Sequence, residues 1–272
     1  MKTIIATTEF SQLSIDTVNY AADMARAIGA RLILIHTYAI PIPVNEVPVA
    51  IYDIEQLTNE AGQRMEKLKE RLLRRTDETI IIQTEILPGD IVSVLSEYAE
   101  KIKPFAIVMG AEGMGAVQRF LFGGKTVAAL KRIHWPLIIV PRDAHFKKFK
   151  KIGLACDFEH VEDAVHVSDV ISLVQEFEAE LHVLYIVRDH LHKGVVSEAD
   201  VLQNMLGEVN PKFHFITEPD LVKGITTFAE YNDLDLLIVV PKWHDILDQI
   251  FHTRKSKKLV LHSRIPVLSI HE

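Results

Sequence analysis

The chain repeats one structural plan twice, and this repeat limits the fold more than any other feature of its 272 residues. Each copy opens with a short apolar segment that ends in an acidic residue followed by phenylalanine, at Glu9-Phe10 and at Asp157-Phe158. Each copy closes with a proline that leads into a second apolar segment, at residues 135–140 and 265–270. Self-similarity of this kind predicts two domains with the same topology.

The segments between these landmarks predict the class of each domain. Short segments that are apolar throughout alternate with longer segments whose apolar residues recur at helical spacing. Strands that are apolar along their whole length indicate a parallel sheet with helices on both faces. We therefore expect an α/β protein with two repeated doubly wound domains, each built on an open five-stranded parallel sheet.

The domain boundaries follow from the same repeat. We assign residues 1–143 to the first domain and residues 151–272 to the second. The lysine-rich segment 144–150 interrupts the pattern and is predicted to be a solvated linker. The final strands of the two copies, Leu137 to Val140 and Val267 to Ile270, would expose unpaired backbone if left alone. We expect them to pair the two domains within the chain.

Charge and composition argue against two classes of partner. The net charge of −7 is opposite to the basic face that binding of nucleic-acid phosphates requires. No apolar run reaches the roughly 18 residues of a membrane span. The single cysteine, Cys156, allows no internal disulfide and is expected to be an unreactive core thiol. We therefore expect a cytoplasmic protein that binds neither nucleic acid nor membrane.

The end of the fourth strand in the first copy carries the strongest functional signal. Gly110 and Gly113 follow an apolar strand, and Gly123-Gly124-Lys125-Thr126 opens the next helix. Glycines let a backbone pass close to a ligand without a Cβ collision, and a helix start offers free N–H groups to phosphates. The pattern favours a nucleotide site, although Gly110 and Gly113 are also typical of a tight strand exit, and Gly123 of close helix packing.

Over both halves the chain resembles the universal stress protein family in its tandem two-domain form. In that family a strand ends in Gly, two residues, Gly, nine residues, and Gly followed by Ser or Thr. Gly110, Gly113 and Gly123 match the three glycines, whereas Gly124 replaces the hydroxyl residue. Thr126 matches a threonine that is common two residues later in members that bind ATP. The resemblance implies domains paired through their last strands and an adenine nucleotide, ATP with Mg²⁺ included, at the strand ends.

The resemblance also implies roles for individual residues of the first copy. Glu9 stands where the family usually has an aspartate that bonds the ribose or the adenine, and the backbone of Thr37 would read the adenine edge. Residues 123–126 would bind the β- and γ-phosphates through their N–H groups, the Lys125 cation and the Thr126 hydroxyl. Without a ligand, Glu9 would simply precede a helix capped by Ser11.

The second copy departs from this pattern. Pro241, Trp243 and His244 stand where the first copy has its strand-end glycines, and residues 252–256 place side chains at the helix start. Proline removes an N–H donor, and side chains crowd the space that phosphates would occupy. The second domain is therefore expected to be a degenerate partner, with at most one nucleotide bound per chain.

Two functions remain open on these grounds. One is a stress-response protein whose first domain binds ATP or a related adenine nucleotide as a regulatory ligand. The other is a ligand-free scaffold for dimerisation and for an unidentified protein partner. No general base, nucleophile or metal-binding set accompanies the glycines, so slow ATP hydrolysis is the most activity that we expect. The histidines lack the spacing of a metal site.

Overall fold

The structure is a computed structural model, and it describes residues 1–38, 54–111, 124–155, 167–187, 194–239 and 265–270. Ten strands lie in these ranges: β1 (Thr3–Thr7), β2 (Arg31–Tyr38), β3 (Ile82–Pro88), β4 (Ala106–Gly110), β5 (Leu137–Val140), β6 (Lys151–Ala155), β7 (Glu180–Val187), β8 (Lys212–Thr217), β9 (Leu236–Val239) and β10 (Val267–Ser269). The described α-helices are α1 (Gln12–Ala27), α2 (Ile54–Arg75), α3 (Ile91–Ile102), α4 (Gly124–Arg132), α5 (Val167–Phe177), α6 (Gly194–Met205) and α7 (Leu221–Tyr231).

All ten strands form one sheet, in the order β3-β2-β1-β4-β5-β10-β9-β6-β7-β8. Within each half the five strands are parallel. The order of the first half, 3-2-1-4-5, recurs in the second half as 8-7-6-9-10. The prediction of two doubly wound halves with five parallel strands each is confirmed.

Strands β5 and β10 join the halves. They pair antiparallel, with Val267 opposite Ile139 and Ser269 opposite Leu137. Strand β5 is buried along its whole length, because β10 covers the edge that β5 would otherwise leave open. The predicted pairing of the final strands is confirmed, and it makes the two sheets continuous.

Side-chain caps mark the starts of two helices of the first half, α1 and α3. Ser11 caps α1 by accepting the N–H of Ser14. Asp90 caps α3 by accepting the N–H groups of Val92 and Ser93. Both caps follow directly after the carboxyl end of a strand, so they hold two helix starts at one edge of the sheet. The prediction that Ser11 caps the first helix is confirmed.

The linker between the halves is only partly solvated. Phe149 is 1% exposed, and its ring centroid lies 4.5 Å from that of Phe177 on α5. Phe146 is partly buried, and its ring meets Tyr20 of α1 edge-on at 5.3 Å. The expectation of a solvated linker is therefore wrong for these two residues, because large rings gain more from burial than from exposure. The lysines between them remain exposed.

None of the helices in the described ranges has the length and apolar character needed to cross a bilayer.

Candidate functional site

The strand order creates a crevice between β1 and β4. The chain leaves β1 through α1 toward β2, and it leaves β4 through α4 toward β5. Because β2 and β5 lie on opposite sides of the β1–β4 pair, the two connections diverge. Open α/β sheets bind ligands at this point, outside the carboxyl ends of the strands. The topology therefore predicts that a ligand would bind beside the segments that follow Thr7 and Gly110.

A small cleft of about 80 Å³ lies at this point. Its walls include three of the predicted site residues, Glu9, Thr37 and Gly110. The other lining residues are Thr7, Thr8, Leu13, Ser14, Ile91 and Met109. Pockets that enclose a small ligand have volumes of about 300 Å³ or more, so this cleft alone is too small to enclose a ligand the size of a nucleotide.

Hydrogen bonds hold the turn that follows β1. Ser11 Oγ donates to Glu9 Oε1 at 3.0 Å, and the Glu9 N–H donates to Ser14 Oγ at 3.3 Å. Ser14 Oγ also lies 3.1 Å from Thr8 Oγ1. Glu9 is exposed, and its Oε2 has no hydrogen-bond partner in the described ranges. The carboxylate is thus oriented by the cap of α1 and retains an oxygen that can accept a ligand hydroxyl.

Phe10 turns the chain into α1 with a left-handed backbone, at a φ of 64°. A bulky residue rarely adopts this conformation, which costs on the order of 1–2 kcal/mol. The Phe10 ring contacts the His36 ring at 4.6 Å and the Arg64 guanidinium at 4.4 Å. His36 Nδ1 lies 2.8 Å from the Thr8 carbonyl and donates to it. These contacts from β2 and α2 hold the turn beside the cleft.

The backbone of Thr37 faces the cleft. The last paired residues of β1 and β2 are Thr7 and Ile35, and the Thr8 N–H donates to the Ile35 carbonyl at 3.0 Å. Alternate residues of a parallel strand turn their backbone groups toward the same neighbouring strand. Thr37 therefore points its N–H and C=O toward the side of β1, beyond the point where β1 ends. The N–H donor and the C=O acceptor of Thr37 therefore lie at the cleft.

Gly110 has a packing role. A Cβ atom at this position would lie 2.7 Å from Thr17 Oγ1 and 3.4 Å from Leu13 Cγ. Both atoms belong to α1, so the glycine lets that helix pack closely onto β4. The sequence offered a ligand site or a tight strand exit as the reason for this glycine, and close packing of α1 is a reason that it did not indicate. This packing role holds with or without a bound nucleotide.

The helix predicted to bind phosphates begins at the same edge of the sheet. Because β4 and β5 are parallel, α4 starts near their carboxyl ends and returns to their amino ends. Gly124 and Lys125 are its first two residues. Thr126 follows with 0% exposure, and its Oγ1 has no hydrogen-bond partner among the described residues. A buried hydroxyl without a partner is costly, so this group would gain from a hydrogen bond to any atom that reaches it.

Two predicted glycines, Gly113 and Gly123, lie outside the described residues. The residues predicted to block the second site also lie outside them: Pro241, Trp243, His244 and residues 252–256. So does Asp157, the acid that the second copy keeps after its first strand. Cys156 belongs to the same group. Their predicted roles stay predictions.

Sequence reasoning missed the apolar wall of the cleft. Leu13, Ile91 and Met109 line it from α1, α3 and β4. No motif marks these residues, because ordinary core positions look the same in a sequence. Ile91 had one usable signal: it follows the cap Asp90, and helices that follow parallel strands begin at the carboxyl edge of the sheet.

Comparisons with known proteins extend these observations. The sequence model of the universal stress protein family matches residues 1–141. Universal stress protein MJ0531 of Methanocaldococcus jannaschii is 28% identical over 142 residues, which make up 52% of this chain and 82% of that protein. A universal stress protein from Archaeoglobus fulgidus superposes on 99% of this chain and 96% of its own, with a TM-score of 0.72 and 16% identity. A putative universal stress protein from Pseudomonas aeruginosa superposes on 100% of this chain and 93% of its own, with a TM-score of 0.59 and 12% identity.

The structural likenesses run through both halves, and at these identities they concern the fold alone. The family assignment depends on the sequence match, which spans more than half of the chain. The doubly wound halves and the paired final strands agree with it. The chain belongs to the universal stress protein family.

Proposed function

We propose that the first half, residues 1–143, binds ATP or a related adenine nucleotide as a regulatory ligand in the cytoplasm. The second half, residues 151–272, then acts as a degenerate structural partner joined through the linker 144–150. The observation that supports this proposal best is the meeting of Glu9, Thr37 and Gly110 in one cleft at the carboxyl ends of β1, β2 and β4. These residues are far apart in sequence, and the fold brings them together at one edge of the sheet.

The proposal assigns one part of the nucleotide to each element of the cleft. The backbone N–H and C=O of Thr37 bind the adenine edge, and the free oxygen of Glu9 accepts a ribose hydroxyl. Gly113 lets the chain pass beside the ribose and phosphates. The phosphates lie at the start of α4, where Gly123, Gly124 and Lys125 supply N–H groups and positive charge. Mg²⁺ accompanies ATP as its counterion.

Thr126 provides the sharpest test, because its hydroxyl is buried without a described partner. Thr126→Val preserves the shape of the side chain and removes only the hydroxyl. If that hydroxyl bonds a phosphate, the variant binds ATP about tenfold more weakly, which corresponds to about 1.4 kcal/mol. Its free energy of unfolding without ligand stays equal or rises, since no hydrogen bond to a described residue is lost.

Thr76→Val is the matched control. Thr76 is also fully buried, but its Oγ1 donates to the Leu72 carbonyl at 2.9 Å. This variant should lose about 1 kcal/mol of stability and keep the affinity for ATP. Calorimetric titration and urea unfolding of the three proteins separate the two effects. If Thr126→Val loses stability and keeps affinity, the hydroxyl belongs to the fold.

The position of the phosphates can be tested at Lys125 and Gly113. The wild type should bind ATP with a micromolar dissociation constant, near 8 kcal/mol. Lys125→Ala should weaken ATP more than AMP, because only the longer phosphate chain reaches the start of α4. Gly113→Leu should abolish binding of both. Equal losses of ATP and AMP in Lys125→Ala would show that the phosphates lie elsewhere.

The second candidate is a ligand-free scaffold that pairs with another chain or with an unidentified protein. Two observations favour it: the Glu9 carboxylate is already bonded to Ser11, and Gly110 has a packing role that needs no ligand. Absence of binding of ATP, ADP and AMP to the wild type at millimolar concentration would select this function.

A further inference from the structure

Two histidines of the second half form a hydrogen-bonded pair under α7. His182 lies on β7 and His214 on β8, the strand at the end of the sheet. His182 Nδ1 lies 3.1 Å from His214 Nε2 and is hydrogen-bonded to it. His182 is 6% exposed, and His214 is half-buried. The Phe228 ring of α7 contacts both imidazoles, with its centroid 6.4 Å from that of His182 and 4.6 Å from that of His214. The histidine pair therefore joins the last strand to its neighbour and to the helix that covers both.

The bond within the histidine pair limits the number of protons that the two side chains can hold. A neutral imidazole has one N–H group and one lone pair, whereas a protonated imidazole has two N–H groups and no lone pair. The bond between His182 Nδ1 and His214 Nε2 therefore requires one of these two nitrogens to be unprotonated. With both side chains protonated, two N–H groups and two positive charges would face each other across 3.1 Å. The packed arrangement is incompatible with protonation of both histidines.

The charges on the strands make a second proton more costly. Glu180 of β7 is the nearby carboxylate, and its Oε2 lies 3.5 Å from His182 Nε2, an atom without a hydrogen-bond partner in the described part of the chain. Lys212 of β8 already pairs with the same carboxylate oxygen at 2.7 Å. Lys151 of β6 adds a second positive charge near His182. Among the described residues, two cations and one carboxylate thus surround the pair before either histidine is protonated.

The helix that covers the histidine pair does not compensate for a second proton. It contacts the rings through Phe228, whereas its charged side chains, Lys223 and Glu230, are exposed. Burial lowers the pKa of both histidines below the ordinary value of about 6.5. Both side chains are therefore neutral at pH 7.5, where the bond between them can form.

The first half makes the equivalent contact without histidine. The aligned second strands place Ile33 at the position of His182, and Ile33 is 1% exposed in the core. The register of the neighbouring strand places Glu85 of β3 at the position of the second histidine. Tyr98 of α3 donates to Glu85 Oε1 at 3.2 Å, so a hydrogen bond joins strand and helix there. The repeated plan thus holds its outer strand and helix with an apolar residue in one half and with an imidazole pair in the other.

We propose that the histidine pair is an acid-sensitive switch that releases β8 and α7 from the sheet of the second half. At neutral pH the bond between the two imidazoles holds these elements against β7. When the pH falls, protonation of both side chains breaks the bond and favours the opened state, in which each charge is solvated. Among the described strands β8 pairs with β7 alone, so it can separate without breaking the rest of the sheet. The nucleotide cleft of the first half takes no part in this switch.

Hydrogen exchange of the full chain without nucleotide tests the switch. Mass spectrometry follows exchange at pH 7.5 and at pH 5.5, with correction for the chemical exchange rate at each pH, and reports local opening. A solvated histidine has a pKa of about 6.5, so each additional proton that the opened state binds raises its population about tenfold at pH 5.5. Peptides from β8 and α7 should therefore lose protection about tenfold or more. Peptides from β3 and α3 serve as the internal control and should not.

Variants show whether the pair is the cause. His182→Ile combined with His214→Gln introduces the residue of the first half and removes both imidazoles, so β8 and α7 should respond to pH no more than β3 and α3. His214→Gln alone keeps an amide oxygen that can accept from a protonated His182, and its response should be smaller than that of the wild type. His145→Gln is the control, because His145 is exposed in the linker, and it should respond like the wild type.

Three results would each overturn the proposal. The first is an equal pH response of the two sets of peptides in the wild type, which requires no variant. The second is a full response in the double variant, and the third is a full response in His214→Gln. None of these results bears on ATP binding by the first half.

Discussion

Replacing Gly110 with alanine tests how closely α1 packs onto β4 beside the cleft. The new methyl group would lie 2.7 Å from Thr17 Oγ1 and 3.4 Å from Leu13 Cγ. Thr17 Oγ1 donates to the Leu13 carbonyl at 2.9 Å, so it gives up a hydrogen bond if it rotates away. The contact is therefore relieved mainly by moving the helix.

The expected cost combines two opposing terms. Overpacking a well-packed contact costs about 1–3 kcal/mol. Replacing glycine with alanine returns about 0.4–1 kcal/mol, because the unfolded chain loses conformational freedom. Gly110→Ala should therefore lower the free energy of unfolding by about 1–2 kcal/mol. In a Thr17→Ala background the offending hydroxyl is absent, and the same substitution should cost less than about 0.5 kcal/mol.

Urea unfolding followed by circular dichroism measures the four proteins of this double-mutant cycle. The coupling free energy between positions 110 and 17 should be about 1–2 kcal/mol. An unchanged midpoint in Gly110→Ala would show that the helix tolerates the methyl group. An equal cost in both backgrounds would show that Thr17 is not the obstacle. Either result would refute the packing role of Gly110.

Two further predictions concern the second half and the linker. Phe149→Ala should cost about 3–5 kcal/mol of stability, whereas the exposed Lys147→Ala should stay within about 0.5 kcal/mol; similar urea midpoints for the two variants would mean that the aromatic cluster contributes little. His182 Nδ1 lies 3.1 Å from His214 Nε2, and burial lowers the pKa of both side chains. Because the folded pKa values lie below the unfolded value of about 6.5, stability should be full above that pH and fall as the pH drops below it. His214→Gln should make the urea midpoint depend less on pH between about 7 and 5, and an unchanged dependence would assign the effect to other groups.

Much of the fold could be predicted because the central strands are apolar throughout. Such segments read as buried parallel strands, and their recurrence predicts two equal halves. The number of strands in each half could be predicted, but the residues that form the third strand of each half could not. Strands β3 and β8 lie at the two ends of the sheet, and both are only half-buried, so their sequences mix polar and apolar residues.

The linker shows where composition misleads. Its lysines predict solvent exposure, and they are exposed. Phe146 and Phe149 alternate with them and bury their rings between α1 and α5. The charge of a short segment as a whole predicts exposure for all of its residues. The individual phenylalanine rings nevertheless pack against apolar residues of the neighbouring helices.

Some features of the candidate site could be predicted from the sequence, and others could not. Glu9 and Thr37 could be assigned to the site through the family resemblance, and the structure brings them together with Gly110. The contact of Gly110 with Thr17 could not be predicted, because it depends on the angle at which α1 crosses β4. The lack of a partner for the Thr126 hydroxyl among the described residues could not be predicted either, because it depends on how the chain packs around α4.

A crystal structure of the protein grown with ATP and Mg²⁺ tests the central claim most directly. The account predicts one nucleotide per chain in the first half, with the adenine at the Thr37 backbone, the ribose at Glu9 and the phosphates at the start of α4 beside Thr126. Electron density for a nucleotide in the second half, for two nucleotides per chain, or for none at millimolar ATP would contradict it.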